Sequence, residues 1–415
     1  VADDGTVFRA DGIYRARWVV PVSSPSVFNA ELEVIGGRIC EIRPRTPTGK
    51  ATDLGDVAVI PGLVNPHTHL EFTPLSQPLG YPGMRFPDWI KAVFQYRQAH
   101  PRNPAQIARA IDQGIQESRD AGVVLIGEIA SLPWTCPAHR PDDPMLVVFS
   151  ELVGFTAGRQ EQIRFQAEEL AESIQRLPWV CPAISPHAPY STTPDLARWG
   201  VERAVGMKAP VAMHLAESAE ELELLQSASG PFRIFLESLG LWQDGLFPAP
   251  DRILEFLRIL SNAPRGLVIH GNYLNAVECQ FLAQHKHLSV IYCPRTHAYF
   301  DHPRHPIAEL LAMGVNVALG TDSRASNPDL NIWSEAQYLC RMRPDLDPRL
   351  ILEMITWRAA RALGQESFGQ LKAGSRAHCL SIPSRAGRES DLLEGLFQAR
   401  PLLAPDFSSM QGNVS

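Results

Sequence analysis

Short apolar runs of strand length recur along this chain, separated by longer stretches whose apolar residues return every three or four positions. Eight such runs follow one another: Val57–Val64, Gly122–Gly127, Met145–Ser150, Val180–Ser185, Pro210–His214, Gly266–His270, Leu288–Tyr292 and Val315–Gly320. The helical period shows between them, as in Gln160–Arg176, Pro194–Val205, Arg252–Leu260, Ala276–Gln284 and Pro306–Met313. Pro194 and Pro306 stand where a first helical turn tolerates a missing N–H. Strand–helix alternation builds a parallel sheet, and eight units over roughly 300 residues predict an α/β protein with a (β/α)8 TIM barrel.

The two ends follow another rhythm. Tyr14–Val22, Ala30–Ile35 and Arg38–Ile42 cluster or alternate β-branched and aromatic residues, with Gly36-Gly37 as a hairpin turn. Near the other end, a turn over Leu371–Ser375 leads into a strand over Ala377–Ile382. Three parts are therefore expected. Residues 1–60 form half of a small β-sandwich, 61–365 the barrel, and 366–415 rejoin the sandwich before a loose tail over Phe407–Ser415.

Composition narrows the class. With 45% hydrophobic and 20% charged residues in 415, the chain can bury a large core. A net charge of −7 argues against nucleic acid as a partner, because phosphate binding needs a basic surface. Seven cysteines include no close pair, so neither a CxxC zinc knuckle nor a disulfide framework is expected. The acidic start Val1-Ala2-Asp3-Asp4-Gly5 lacks the pattern of a signal peptide, and no run approaches the ~20 apolar residues that span a bilayer. A cytoplasmic protein without membrane association is the expectation.

The candidate chemistry sits at the ends of the predicted barrel strands, where barrel enzymes carry their sites. His67 and His69 end the first, His214 the fifth, His270 the sixth and Asp322 the eighth, with Glu217 just past the fifth. Residues two apart in a strand point the same way, so His67 and His69 can share one ion. Asp322 lies far along the sequence, yet strands one and eight are neighbours once a barrel closes. Three imidazoles and a carboxylate bind a divalent transition metal, Zn2+ first, with Fe2+ or Mn2+ suiting the same atoms. Such an ion can lower the pKa of a water to ~7 and so supply hydroxide at neutral pH. Glu217 is placed to ferry a proton, His270 to orient the attacking water, and Asp322 to accept its proton. No lysine occurs between Lys91 and Lys208, so strands two to four cannot offer a carboxylated lysine to bridge two ions. One metal is expected. A lone histidine is more often structural, and His100, His139, His285, His287, His302 and His305 are read that way.

Taken together, PGLVNPHTHL (61–70), HLAE (214–217), VIHGN (268–272) and LGTDS (319–323) resemble the amidohydrolase superfamily. The similarity is greatest to its mononuclear branch of cytosine, guanine and adenosine-type deaminases and triazine chlorohydrolases. This resemblance implies that His67, His69, His214 and Asp322 bind metal and that Glu217 and His270 are catalytic. It also implies substrate contacts from His187 in Ser185-Pro186-His187-Ala188-Pro189-Tyr190 and from the strand-seven end Tyr292-Cys293-Pro294-Arg295-Thr296-His297, where Arg295 is the candidate. Relatives often carry CPxSN there, and Thr296-His297 departs from it. Ser323 follows the metal aspartate and is expected to line the pocket. Glu71, with Glu128 and Glu151, is a candidate for reading substrate amino or hydroxyl groups. HLEF (69–72) and Phe86-Pro87-Asp88-Trp89 are similar to aminodeoxyfutalosine deaminases, although Trp89, Ile90, Val93 and Phe94 have helical spacing and read mainly as core.

The expected activity is metal-dependent hydrolytic deamination of an amino-substituted heterocycle, a purine or nucleoside-like small molecule. The resemblance also suggests a homodimer. Two alternatives stand beside it: the same site as a chlorohydrolase or cyclic amide hydrolase, and a non-catalytic barrel used as a scaffold. Intact Glu217 and His270 favour an amine, a poor leaving group that needs proton delivery.

Overall fold

The structure is a computed structural model, described here over residues 11–46, 50–101 and 103–398. The tail expected over Phe407–Ser415 lies outside the described residues. Eight parallel strands pair in sequence order: β6 (Leu63–Thr68), β7 (Val123–Ala130), β8 (Met145–Leu152), β9 (Val180–Pro186), β10 (Pro210–Leu215), β11 (Arg265–His270), β12 (Leu288–Tyr292) and β13 (Asn316–Leu319). The preceding strands β1 (Gly12–Val19), β2 (Val27–Ile35), β3 (Arg38–Pro44), β4 (Thr52–Asp53) and β5 (Val57–Pro61) join β14 (Cys379–Pro383) in a second sheet. Helices lie between successive barrel strands, among them Ala157–Ile174, Pro194–Met207, Arg252–Leu260 and Ala276–Gln284.

β6 and β13 close the barrel with few backbone bonds, and side chains complete the seam. The fully buried Asn65 donates from Nδ2 to Thr321 Oγ1 at 2.8 Å and accepts the Thr321 N–H at 3.2 Å. Beyond it, the Asp322 N–H donates to the His67 carbonyl at 3.1 Å, and Thr68 bridges Asp322 in parallel sense. Closure and site are thus made by the same residues.

One expectation changes. The run Val57–Val64 is not one barrel strand. It splits at Gly62 into β5, which pairs antiparallel with β14, and β6, which opens the barrel. A Cβ on Gly62 would lie 2.5 Å from Val124 Cγ1, so the chain turns between sheets where no side chain fits. The terminal strands come together as expected, joined among the described residues in one six-stranded hydrogen-bonded sheet around a core of its own. Tyr14, Val19, Leu32, Ile39, Ala377 and Cys379 share its apolar core. The C-terminal segment then leaves this sheet. Phe397 packs on Trp333 at 4.8 Å between ring centroids, and its carbonyl accepts from Gln337 at 2.8 Å. Among the described residues no helix is long and apolar enough to cross a membrane. All seven cysteines are free thiols.

Close approach of β7 to β6 depends on Gly127. A Cβ there would meet the Pro66 carbonyl oxygen at 2.2 Å, one residue before His67. Gly127→Ala should therefore cost about 1–3 kcal/mol of stability through overpacking, whereas Gly158→Ala, with nothing within 4 Å, should stay within about 0.5 kcal/mol. Urea midpoints of the two variants check this.

Candidate active site

β6, β10, β11 and the end of β13 bring His67, His69, His214, His270 and Asp322 to one rim of the barrel. Single ligand atoms of His67, His214 and His270 lie within 4.8 Å of one another, as do those of His67, His69 and Asp322. Asp322 Oδ1 stands 3.6 Å from His67 Nε2 and 3.7 Å from His69 Nε2. The His67 and His214 ring centroids are 5.0 Å apart.

The fit to a cation rests on unsatisfied chemistry. His67 is fully buried, and neither of its ring nitrogens has a hydrogen-bond partner. Such an imidazole costs free energy unless something accepts its lone pair. Burial pushes the pKa values of His67 and His69 well below the usual range and that of His214 to about 4, with neighbouring imidazoles adding to the shift. All three are held neutral, the form that binds metal. His214 donates from Nδ1 to the His187 carbonyl at 3.2 Å, leaving Nε2 free to coordinate. Asp322 is oriented by the Ser323 N–H at 2.8 Å and by Ser326 Oγ at 3.0 Å. These residues can hold one divalent ion.

Glu217 and His270 face each other beside this cluster, Oε1 to Nε2, at 3.2 Å. Burial, reinforced by the charges of Asp322 and Glu221, pushes the Glu217 carboxyl well above the ordinary range. Burial likewise holds His270 well below its own. A carboxylic acid beside a neutral imidazole suits proton transfer. The turn that presents Glu217 is clamped by Glu221, whose carboxylate accepts the N–H groups of Ala216 at 3.1 Å and Glu217 at 2.7 Å. Glu221 is fully buried, and burial raises its pKa to about 7. Sequence reasoning missed it, although its place in the first turn of helix Ala219–Ser227 was a readable signal.

A pocket of about 370 Å³ opens from the cluster. Its lining joins the cluster residues His69, His214, His270 and Asp322 and the polar Glu217, His187, Ser323, Arg97, Glu151 and Tyr190 to an apolar wall of Phe94, Phe155, Phe235, Leu239 and Leu241, of which the exposed Phe94 and Leu239 mark the outer side. Trp89 and Val93 are buried in the core with Ile90 packed against it, as expected, and together with the more exposed Phe94 they also line this cavity. Arg97 and Tyr190 are additions the sequence did not single out. Tyr190 stacks on Phe232 at 4.3 Å, and its hydroxyl points to Glu217 Oε2 at 3.5 Å.

Three other candidates fall elsewhere. Glu71 is not among the pocket residues; its Oε1 bonds to Arg97 Nη2 and accepts from Ser131 Oγ at 2.9 Å, so it positions Arg97 from behind. Glu128 lies fully buried, accepting the Leu70 N–H at 2.9 Å and Thr68 Oγ1 at 3.0 Å. Arg295 turns away from the pocket altogether. Its guanidinium is spent on Glu335 and Asp329, each at 2.6 Å. Burial works against the Arg295 charge, but these two carboxylates outweigh it and hold the pKa above the ordinary arginine value. The six histidines read as structural have local partners, such as His100 with the Tyr96 carbonyl at 3.0 Å and His139 stacked on Trp179 at 4.2 Å.

A family model described as "Amidohydrolase family" matches residues 58–404. Over 380 residues the chain is 25% identical to the 5-methylthioadenosine/S-adenosylhomocysteine deaminase of Pyrococcus furiosus, covering 87% of this chain and 82% of that protein. It is 26% identical over 360 residues to the aminodeoxyfutalosine deaminase of Deinococcus radiodurans, covering 82% and 80%. In fold it is similar to Helicobacter pylori aminofutalosine deaminase in complex with methylthio-coformycin, with a TM-score of 0.79 and 20% identity over 94% of this chain and 97% of that one.

Removing Arg295 should damage stability and leave recognition intact. Arg295→Met strands the fully buried Glu335 and should cost about 3–5 kcal/mol in chemical denaturation. The KM of the folded fraction should match that of the parent.

Proposed function

The chain belongs to the amidohydrolase family, and from that membership we propose that it is a hydrolytic deaminase of adenosine-like nucleosides carrying a modified 5′ position. The observation that carries this reading is the Glu217–His270 pair at 3.2 Å, set against a cluster of three imidazoles and a carboxylate from which a pocket opens. Of the two named relatives, one is by its name a deaminase of 5-methylthioadenosine and S-adenosylhomocysteine and the other a deaminase of aminodeoxyfutalosine.

His67, His69, His214 and Asp322 would hold one divalent ion, zinc on the chemistry of the donors, which when bound supplies Lewis acidity at neutral pH. The chain's own residues handle the protons. Glu217, kept protonated by its burial, gives a proton to the ring nitrogen next to the amine-bearing carbon. A water oxygen bonds to that carbon, oriented by His270, and its proton passes to the Asp322 carboxylate. The amine takes the proton held by Asp322 and leaves as ammonia as the C–N bond breaks, while the remaining hydroxyl proton returns to Glu217 as the ring carbonyl forms. Tyr190 and the ring of Phe86 narrow the pocket, and Glu151 and His187 are the groups offered to ribose hydroxyls. The apolar outer wall takes the 5′ substituent. Seven free thiols are in keeping with a cytoplasmic setting.

The test is ammonia release from metal-loaded protein on a panel of adenosine, 5′-deoxyadenosine and adenosines with bulkier 5′ thioether or aryl groups. Turnover should rise with an apolar 5′ group, and no turnover across the panel would overturn the reading. Halide release from chlorotriazines without any ammonia release would instead favour the chlorohydrolase alternative. Glu217→Gln should lower kcat by about 10²–10⁴-fold with metal content unchanged. Paired Phe94→Ala and Phe235→Ala changes should raise KM for the bulky substrates and leave that for adenosine nearly unchanged.

A further inference from the structure

His270 ends β11 in a conformation that a residue with a Cβ rarely adopts, with φ +64°, followed by Gly271 at +63°. A non-glycine residue in this region costs of order 1 kcal/mol or more and persists only where its surroundings determine it. The surroundings are specific. The Gly271 N–H donates to the Leu215 carbonyl at 3.1 Å, the Tyr273 N–H to the Ala216 carbonyl at 2.9 Å, and Asn272 Nδ2 to the Glu217 carbonyl at 2.9 Å. Each of these ties the turn to the end of β10. The carbonyl of His270 itself is bonded from elsewhere, by His305 Nε2 at 2.9 Å.

We propose that His305 is a positioning residue, which fixes the left-handed turn at His270 and thereby the distance from His270 Nε2 to Glu217. A carbonyl oxygen only accepts, so the ring proton sits on Nε2 and Nδ1 carries a lone pair. That second nitrogen is buried without a partner, so the ring is committed to this one bond. The ring is 3% exposed and stacks on Tyr292 at 4.0 Å between centroids. Pro303 and Pro306 bracket it, and the Pro303 carbonyl accepts from His297 Nε2 at 2.9 Å, which stiffens the loop that delivers it. A second contact reaches the same strand ends, because Tyr273 also bonds His302 Nδ1 through its hydroxyl at 3.1 Å. His305 touches neither the pocket nor the metal cluster; its influence runs through the His270 backbone.

The role of His270 in catalysis rests on the deaminase reading, so the test has one arm that needs no substrate. His305→Phe keeps the stacking on Tyr292 and removes the donor, while His305→Gln keeps an N–H at a similar reach. Crystal structures of both should show His270 left-handed in the Gln variant and displaced from that region in the Phe variant. In steady-state assays on whichever adenosine the parent turns over, the Phe variant should lose about tenfold or more in kcat with KM within about twofold. The Gln variant should recover most of that loss. If the Phe variant does not fold, His305→Asn, whose amide falls short of the carbonyl, takes its place against Gln. An unmoved His270 in the donor-less variant, or equal losses in the donor-keeping and donor-less variants, overturns the proposal. A parent inactive on every nucleoside would count against the deaminase reading alone, and the crystallographic arm would still decide this one.

Discussion

Everything in this molecule depends on how the first and last strands of the barrel meet. A parallel barrel has to bring its ends together, and here β13 is short, so the seam has few backbone bonds to offer. Asn65 and Thr321 substitute side-chain bonds, and the next contact outward is the Asp322 N–H on the His67 carbonyl. Leaving a buried amide such as Asn65 unsatisfied would cost about 1–3 kcal/mol, which ties the geometry of the rim to the stability of the whole. His67 and Asp322 are therefore set in place by barrel closure itself rather than by a mobile loop.

Three of the strained backbone positions fall at the same rim. Ala216, His270 and Asp322 are all left-handed, at φ +52°, +64° and +60°, and each adjoins or is a residue of the site. Every one is held by a named partner: Glu221 on the Ala216 N–H, His305 on the His270 carbonyl, Ser323 and Ser326 on the Asp322 carboxylate. The barrel supplies the rigidity that keeps these turns, and the turns aim Glu217, His270 and Asp322 inward. Burial then biases the protonation equilibria, holding the imidazoles below and the Glu217 carboxyl above their ordinary ranges.

Much of this was legible in the order of residues along the chain. Strand β12 and the helices Arg252–Leu260 and Ala276–Gln284 coincide with their expected ranges, because apolar period and flanking turn residues agree there. His67, His69, His214, His270 and Asp322 were identifiable because strand ends, unlike loops, have a position that topology dictates. What failed had a common physical cause. Glu71 follows His69 and Arg295 follows the end of β12, but a charged side chain is claimed by whichever counter-charge lies closest in space, and those partners, Arg97 and Glu335, are distant in the chain. Periodicity showed that Trp89 to Phe94 have an apolar face without showing that the face borders a cavity. The break at Gly62 was hidden because both halves of the Val57–Val64 run are apolar, although they belong to different sheets.

The central claim is that His67, His69, His214 and Asp322 enclose a single cation. Anomalous diffraction from crystals of the purified protein, recorded on both sides of the zinc edge, tests it most directly. One peak within bonding distance of all four side chains is the predicted result. No peak there in zinc-supplemented crystals, or a peak that excludes Asp322 or His214, would contradict the account.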